Sequence, residues 1–452
     1  YLIKDKEDAW RIASNIVNIS TIFLVGIAIL GTIFSYYIIR AQTFLTPASA
    51  DKVGLASFFF KYFVWEIVFY GFCAVLNGIL QSFRRFTWPA AAPIFNNLVT
   101  IFTVLFVYLP LHRTHPQAAL VGLALGTTLG VLAMALVQFP ALFKAGYKHY
   151  WILDFHDAAF LKMASLSLPI LGYVTSNQLG QIVVNLLAYK YEGGFTAWTY
   201  AWRFYQLPYG ILAVSIATAL FPRISEQASK KEISSFKESL SLGIRATGFV
   251  ILPATVAIFL LSRPLILATL HHYNFSYAGS IQTAKVLSYF VLGLFPFAVH
   301  IFLTRMFYAR KDTITPMKIN ALGVPLMVTL DIILVRYFEV AGLSLGNSLT
   351  YIFTMSLLLI AIRRRIGPLG ARKIVVRTVR FALASILMGA AIVLVLQIPA
   401  LRGDSFGASV AQLVVGSTVG IFVYLVINII IKTEELDFIR SIFAGVLRKI
   451  KS

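Results

Sequence analysis

Arg203 lies deep in an apolar and aromatic stretch, five residues before Pro208, where a lone guanidinium needs an explanation. A charge at that depth in an apolar segment costs a few kcal/mol, ~2.5 or more at a bilayer centre, so it is expected to face a wet cavity or a partner. The planar fork of arginine matches diphosphate and carboxylate oxygens. An anion clamp is therefore one reading of Arg203; a structural ion pair or a snorkelling side chain is the other. Gln178, Gln181 and Asn185 fall at i, i+3 and i+7 and share a helix face. Such a stripe can bind sugar hydroxyls or peptide amides, and it can equally join helices. Asn77, Gln81, Asn96 and Asn97 make a looser set in which interhelical bonding is favoured.

Among the acids, Glu66 is a candidate for a cavity or proton-handling role, since Lys61 at i−5 is poorly spaced to pair with it and can snorkel instead. Asp331 suits either a monovalent-cation site with oxygen neighbours or an ion pair with Arg336. Arg245, Lys285 and Arg305 are read as interfacial because they lie nearer helix ends, with Arg305 kept as a substrate contact. Enzyme chemistry finds little support. There is no GxxxxGK[ST] phosphate loop and no HExxH, and six of the seven histidines (His112, His115, His149, His156, His271 and His272) fall mostly in loops without metal-ligand company. Asn274-Phe-Ser276 forms a sequon of a kind common by chance. A lone Cys73 excludes an intrachain disulfide and a cysteine cluster. No cofactor is expected.

The elements that must carry these residues are membrane helices. Hydrophobic residues make up 59% of the chain and charged residues 13%, against about 25% charged in soluble domains. The apolar residues come in blocks long enough to cross a bilayer as helices, and they lack the period-two alternation of barrel strands. Twelve spans are read, at 8–40, 52–83, 88–110, 117–143, 155–189, 195–221, 235–262, 280–308, 314–337, 340–362, 374–398 and 409–431. Prolines inside several of them, such as Pro93, Pro169, Pro208 and Pro253, suit kinks.

The net charge of +21 is an orientation signal rather than a nucleic-acid signature. Arginine and lysine gather in alternate loops, among them Arg84 and Arg85, Arg310 and Lys311, and Arg363, Arg364 and Arg365. Those loops are expected to be cytoplasmic, with the C-terminus inside, and the excess charge attracts anionic lipid. Beyond the last span, Leu436, Ile439, Phe443, Val446 and Ile450 share one helical face, which predicts an in-plane amphipathic helix over 433–452.

The octapeptide Gly122-Leu-Ala-Leu-Gly-Thr-Thr-Leu129 recurs as Gly342-Leu-Ser-Leu-Gly-Asn-Ser-Leu349, and the spans around the two copies follow in the same order. Repeated halves are typical of transporters that hold substrate between them. In this register the spans 155–189 and 195–221 have no counterparts before residue 8, and residue 1 is tyrosine, so two further helices are expected upstream. The expected fold is an all-α polytopic membrane protein: two pseudo-symmetric helical lobes plus a C-terminal helix pair, with 12 of 14 transmembrane helices visible. The expected divisions are 1–148 for an incomplete first lobe, 149–366 for a second lobe of six helices, 367–432 for the final pair and 433–452 for the tail.

Residues Tyr200–Ser225 (YAWRFYQLPYGILAVSIATALFPRIS) resemble a signature stretch of the MurJ/MviN lipid II flippases. So, more loosely, do Ile79–Phe86, Ala92–Asn97 and Met306–Pro316, and the resemblance runs over essentially the whole chain. It implies membership of the multidrug/oligosaccharidyl-lipid/polysaccharide exporter superfamily, fourteen helices in two lobes, and movement of the peptidoglycan precursor lipid II across the bacterial inner membrane by alternating access. It implies Arg203 as a headgroup contact, with Gln206 beside it in the same stretch, and upstream arginines that share the diphosphate. It further implies a protein that works as a monomer with lipid II and membrane lipids as partners and no nucleic acid, driven by the membrane potential or by Na+ or H+. Two departures stand out. Trp202 occupies a place where relatives usually carry aspartate, and Asn185 one where they often do. A polyprenyl-linked polysaccharide flippase, a drug/cation antiporter and a non-transporting cell-wall scaffold are the alternatives. An antiporter for cationic drugs should carry a more acidic cavity than these residues supply.

Overall fold

The structure is a computed structural model that describes residues 6–42, 50–83, 85–271 and 275–436. Among the described residues, eleven helices are long and apolar enough to cross a membrane, and a pair of helices bent by 52° makes a twelfth as a broken span. Most of the predicted tail helix, and with it Ile439, Phe443, Val446 and Ile450, lies outside the described residues, as do Arg84, His272 and Asn274. The chain divides into two compact units, one running up to Ser165 and one from Leu166 onward.

The first unit opens with α1 (Lys6–Ile33) and a short α2 (Ser35–Gln42), so the predicted span 8–40 is interrupted at Phe34. The span 52–83 is likewise two helices, α3 (Ala50–Phe63) and α4 (Glu66–Ser82), broken at Val64 and Trp65. Then come α5 (Thr87–Thr103), a π-helical turn (Val104–Tyr108), the single turn α6 (Leu109–Leu111), α7 (Pro116–Leu136) and the short α8 (Phe139–Lys144). Pro116 opens α7, where its missing N–H costs nothing. Hydrophobic burial does not drive helices together in lipid; close packing and polar contacts do. Gly126 of α7 accordingly receives Thr103 of α5, and Gly130 receives Asn96. A Cβ at Gly126 would come within 2.1 Å of the threonine oxygen. The segment after α8 is strapped along α1. Asn15 donates to the Asp154 carbonyl at 2.8 Å and accepts from its N–H, and Asn18 donates to the carbonyls of Tyr150 and Ile152 at 3.0 Å. Trp10 stacks on Phe83 beside this strap.

The division between the units falls inside α9 (Ala158–Ala188). The second unit continues with α10 (Gly194–Pro208), a π-helical turn (Tyr209–Ala213), α11 (Val214–Ser229) and α12 (Ile233–Leu270). Next are α13 (Tyr277–Val291) and α14 (Leu294–Ala309), which form the bent pair, then α15 (Ile314–Phe338) and α16 (Val340–Ile366). The closing pair is α17 (Ala371–Leu396) and α18 (Phe406–Ile430). Serine caps mark two starts: Ser276 accepts from Gly279 N–H ahead of α13, and Ser405 from Ala408 N–H ahead of α18. A core of Tyr205, Phe290, Leu287 and Leu343 joins α10, α13 and α16, and a second of Phe236, Phe302 and Phe307 joins α12 and α14. The closing pair packs on α12 through Phe249, Phe381, Met388 and Tyr424, whose hydroxyl donates to the Phe249 carbonyl at 2.7 Å. Its outer faces, with Leu383, Leu387, Ile421 and Phe422, are exposed apolar surface suited to lipid.

One sequence reading needs correcting here. Arg245 is not an interfacial side chain. It is buried on α12 and pairs with the fully buried Glu435, while Glu434 lies 3.5 Å from it. Arg377 and Lys373 of α17 complete the cluster on Glu434, at 2.9 and 3.4 Å. The partners follow α18 directly, far from Arg245 along the chain, which is why local spacing gave no hint of them. Glu434 keeps its carboxyl below the ordinary range: partial burial pushes it up, and the charges of Arg377 and Lys373 outweigh that.

Candidate functional site

Within the second unit, α9, α10, α14, α15 and α16 enclose a cavity of about 350 Å³. Pro169 sits in the first half of α9, and beyond it Gly172 and Gly180 let that helix approach Met317 and Met327 of α15. Past Pro169, α9 presents Tyr173, Asn177, Gln178 and Gln181 to the cavity. From α15 come Asn320 and Met327, and from α16 Asn347, Thr350, Tyr351 and Thr354. Trp202 of α10 and Phe297 of α14 supply aromatic wall. Among the described residues, no aspartate, glutamate, lysine or arginine lines it.

The lining groups are partly tied to each other. Gln181 donates to Asn185 Oδ1 at 2.8 Å, which orients both amides but leaves Asn185 outside the lining. Asn320 donates to the Tyr173 carbonyl at 3.2 Å, and the Tyr173 hydroxyl meets His300 Nε2 at 3.2 Å. Thr350 and Thr354 each donate one turn back along α16, at 2.8 and 3.0 Å. Asn347 lines the cavity, and its Oδ1 is buried with no hydrogen-bond partner among the described residues. A chamber of uncharged donors and acceptors with aromatic faces is equipped for hydroxyls, amides and sugar rings, and poorly equipped for a diphosphate.

One turn beyond Met327, Asp331 is fully buried and neither of its oxygens has a partner among the described residues. Gly346 makes room for it, since a Cβ there would lie 2.2 Å from Asp331 Oδ1. The alternative ion pair with Arg336 is not formed. Arg203 and Gln206 stand on the exposed side of α10, opposite the buried Ala201 and Tyr205, and neither lines the cavity. Arg203 makes no ion pair or hydrogen bond among the described residues. Arg305 is half-buried on α14. Glu66 belongs to the first unit, where it begins α4 with Oε1 buried and unpartnered.

Of the predicted residues, the structure thus gathers Gln178 and Gln181 in the cavity with Asn185 behind them. Asp331 stands nearby, and Arg203, Gln206, Arg305 and Glu66 lie elsewhere. Sequence reasoning missed Tyr173, Asn177, Asn320, Asn347, Thr350 and Thr354. A signal for some of them was available. Tyr173, Asn177 and Gln181 recur every four residues, and Asn347, Thr350 and Thr354 fall at i, i+3 and i+7, so each set shares a helix face.

A profile of the family described as lipid II flippase MurJ matches residues 2–406. The probable lipid II flippase of Buchnera aphidicola (subsp. Acyrthosiphon pisum) is 28% identical over 350 residues, covering 77% of this chain and 67% of that protein. Its counterpart from Vibrio cholerae is 27% identical over 69% of this chain and 58% of its own length. That from Thermotoga maritima is 26% identical over 96% and 84%. Among solved structures, a lipid II flippase MurJ in an inward closed conformation superposes with a TM-score of 0.72 at 23% identity, covering 95% of this chain and 85% of that one. An inward-facing multidrug resistance MATE transporter of the MOP superfamily gives 0.62 at 19% identity over 81% and 83%. The two structures carry the fold, and the profile, which spans nearly the whole sequence, carries the family: this chain belongs to the lipid II flippase MurJ family.

Proposed function

We propose that this protein moves lipid II, the undecaprenyl-diphosphate-linked peptidoglycan precursor, across the bacterial inner membrane by alternating access. The family profile over residues 2–406 is the observation that carries this reading. The second-unit cavity supports it, because amides, hydroxyls and aromatic rings without formal charge suit the sugar and peptide part of such a headgroup. The diphosphate is then assigned to Arg203, whose guanidinium is exposed. Gln206 and Arg305 are assigned to the same headgroup, and Glu66 to a cavity or proton role in the first unit. The uncharged cavity disfavours the reading as an exporter of cationic drugs.

The drive is assigned to the membrane potential or to a Na+ or H+ gradient, at about 2.3 kcal/mol per charge per 100 mV. Asp331 is the proposed ion-responsive group, since an unpartnered buried carboxylate is satisfied by either a proton or a monovalent cation. The protein is read as a monomer with the C-terminus in the cytoplasm, following the arginine- and lysine-rich loops. The test is complementation in a bacterium depleted of its own flippase, with assay of lipid II on the outer leaflet. Wild type should restore growth and outward lipid II. Arg203→Ala should fail at normal expression, and Arg203→Lys, which keeps charge but loses the fork, should restore both in part. Normal growth with Arg203→Ala would remove the clamp assignment. A wild type that restores neither growth nor outward lipid II would remove the function.

A further inference from the structure

The two copies of the repeated octapeptide do the same job in the two units. Thr128 is the seventh residue of the first copy and Ser348 the seventh of the second. Thr128, on α7, reaches the break between α3 and α4 and donates to the Tyr62 carbonyl at 3.3 Å. Ser348, on α16, reaches the break between α13 and α14, where it can donate to Tyr289 O at 3.0 Å and Phe290 O at 3.1 Å. A broken span frees carbonyls that lipid cannot satisfy, and a neighbouring hydroxyl is the economical remedy. At both breaks the backbone tightens to i→i−3 bonds, as from Trp65 N to Tyr62 O and from Gly293 N to Phe290 O. Gly293 is required for the approach, because a Cβ there would stand 2.6 Å from Ser348 Oγ.

The two stitches differ in how firmly they hold. The first break receives one hydroxyl, and Thr128 has a second acceptor at 3.1 Å in Ala124 O of its own helix. When it turns to that acceptor it leaves the break without losing a hydrogen bond. At the second break both acceptors of Ser348 belong to α13. A further hydroxyl, from Tyr205 of α10, reaches the Gly293 carbonyl at 3.3 Å. The first break also carries Glu66 as the opening residue of α4, with one oxygen buried and unpartnered.

We propose that Thr128 and Ser348 are positioning residues that stitch the helix breaks of their units, and that the single stitch at Tyr62 makes the α3/α4 break a releasable hinge which sets Glu66, whereas the double stitch keeps the α13/α14 bend fixed. Any bearing on transport rests on the flippase reading; the stitch itself does not.

Hydrogen exchange followed by mass spectrometry on the full chain in lipid nanodiscs tests it, each variant being compared with wild type over the same peptide. Thr128→Val should speed exchange over 64–68 by about fivefold, the worth of one net hydrogen bond, and leave 290–294 unchanged. Thr128→Ser should restore the wild-type rate. Ser348→Ala alone should change 290–294 by less than about twofold, and Ser348→Ala with Tyr205→Phe by about twentyfold, two net bonds. The hinge is overturned by Thr128→Val exchanging like wild type over 64–68, or by Thr128→Ser exchanging like Thr128→Val. The double stitch is overturned if Ser348→Ala alone matches the double variant. If Thr128→Val does not yield folded protein, Thr128→Ala, which clears the site, is held to the same fivefold expectation. A wild type that moves no lipid II while this exchange pattern holds would count against the flippase reading and leave the stitch standing.

Discussion

Replacing Glu435 by glutamine removes the charge from a carboxylate that is fully buried against Arg245 and 4.0 Å from Arg377. The Arg245 side chain retains only 6% of its accessible surface, so its charge has little recourse to water. Breaking one side of a buried pair costs about 3–5 kcal/mol, because the remaining charge stays uncompensated. Glu434 lies 3.5 Å from Arg245 and is 57% exposed, so it can take over part of the pairing. The low end, about 3 kcal/mol, is therefore expected. At roughly 2–4 °C per kcal/mol for a unit of this size, the apparent midpoint should fall by about 6–12 °C. The assay is thermal unfolding of purified protein at one fixed scan rate, since large proteins of this kind unfold irreversibly. The double variant Arg245→Met with Glu435→Leu swaps the pair for apolar packing and should recover most of the loss. A midpoint for Glu435→Gln within about 2 °C of wild type, the scatter of a near-neutral substitution, would refute the reasoning.

Three further outcomes can be measured. Asn347→Leu replaces a cavity-lining amide by an apolar group, and should cut outward lipid II movement at least tenfold, about 1.4 kcal/mol, while the unfolding midpoint stays near wild type. Asp331→Asn should keep the fold, since it removes a buried unpaired carboxyl, yet make transport insensitive to imposed ion and pH gradients; unchanged gradient dependence would clear Asp331 of that role. The Asp404 carboxyl is held below its usual range by the Tyr277 hydroxyl at 2.5 Å, with partial burial opposing and Arg263 adding to the effect. Because its folded value is depressed, the stability it adds is present above the unfolded value of about 3.9 and lost as pH falls through the lower folded value. The contribution should be under about 1 kcal/mol for a partly exposed pair, and Asp404→Asn should flatten that acidic limb of the midpoint-versus-pH curve.

The span positions were legible because lipid demands long apolar helices, and α12, α15, α16, α17 and α18 lie close to where composition put them. The breaks were not legible. Val64 and Trp65 are as apolar as the helices they separate, and Phe34 interrupts α1 and α2 without any polar signal. Gly293 carried a hint, but a lone glycine in a membrane helix is commonplace. The Gln178 and Gln181 stripe was readable because one helix carries it. The rest of the cavity was not, because it is assembled from five helices. Arg245 was misplaced for a related reason: its place nearer a helix end reads as interfacial, but its partners come from the segment after α18.

The π-helical turn at Tyr209–Ala213 has a consequence for how related chains should be lined up. Such a turn accommodates one residue more than an α-helix would, and one residue is about 100° of rotation. On α10 the buried face runs through Ala197, Ala201 and Tyr205; on α11 it runs through Ile216, Leu220 and Ile224. Deleting a single residue between 209 and 213 would convert the turn to ordinary α-helix and leave both sets on their faces. A relative without the turn would thus need a one-residue gap at this point, and an ungapped alignment through Pro208 would shift every position of α11 by one residue, about 100° around its helix.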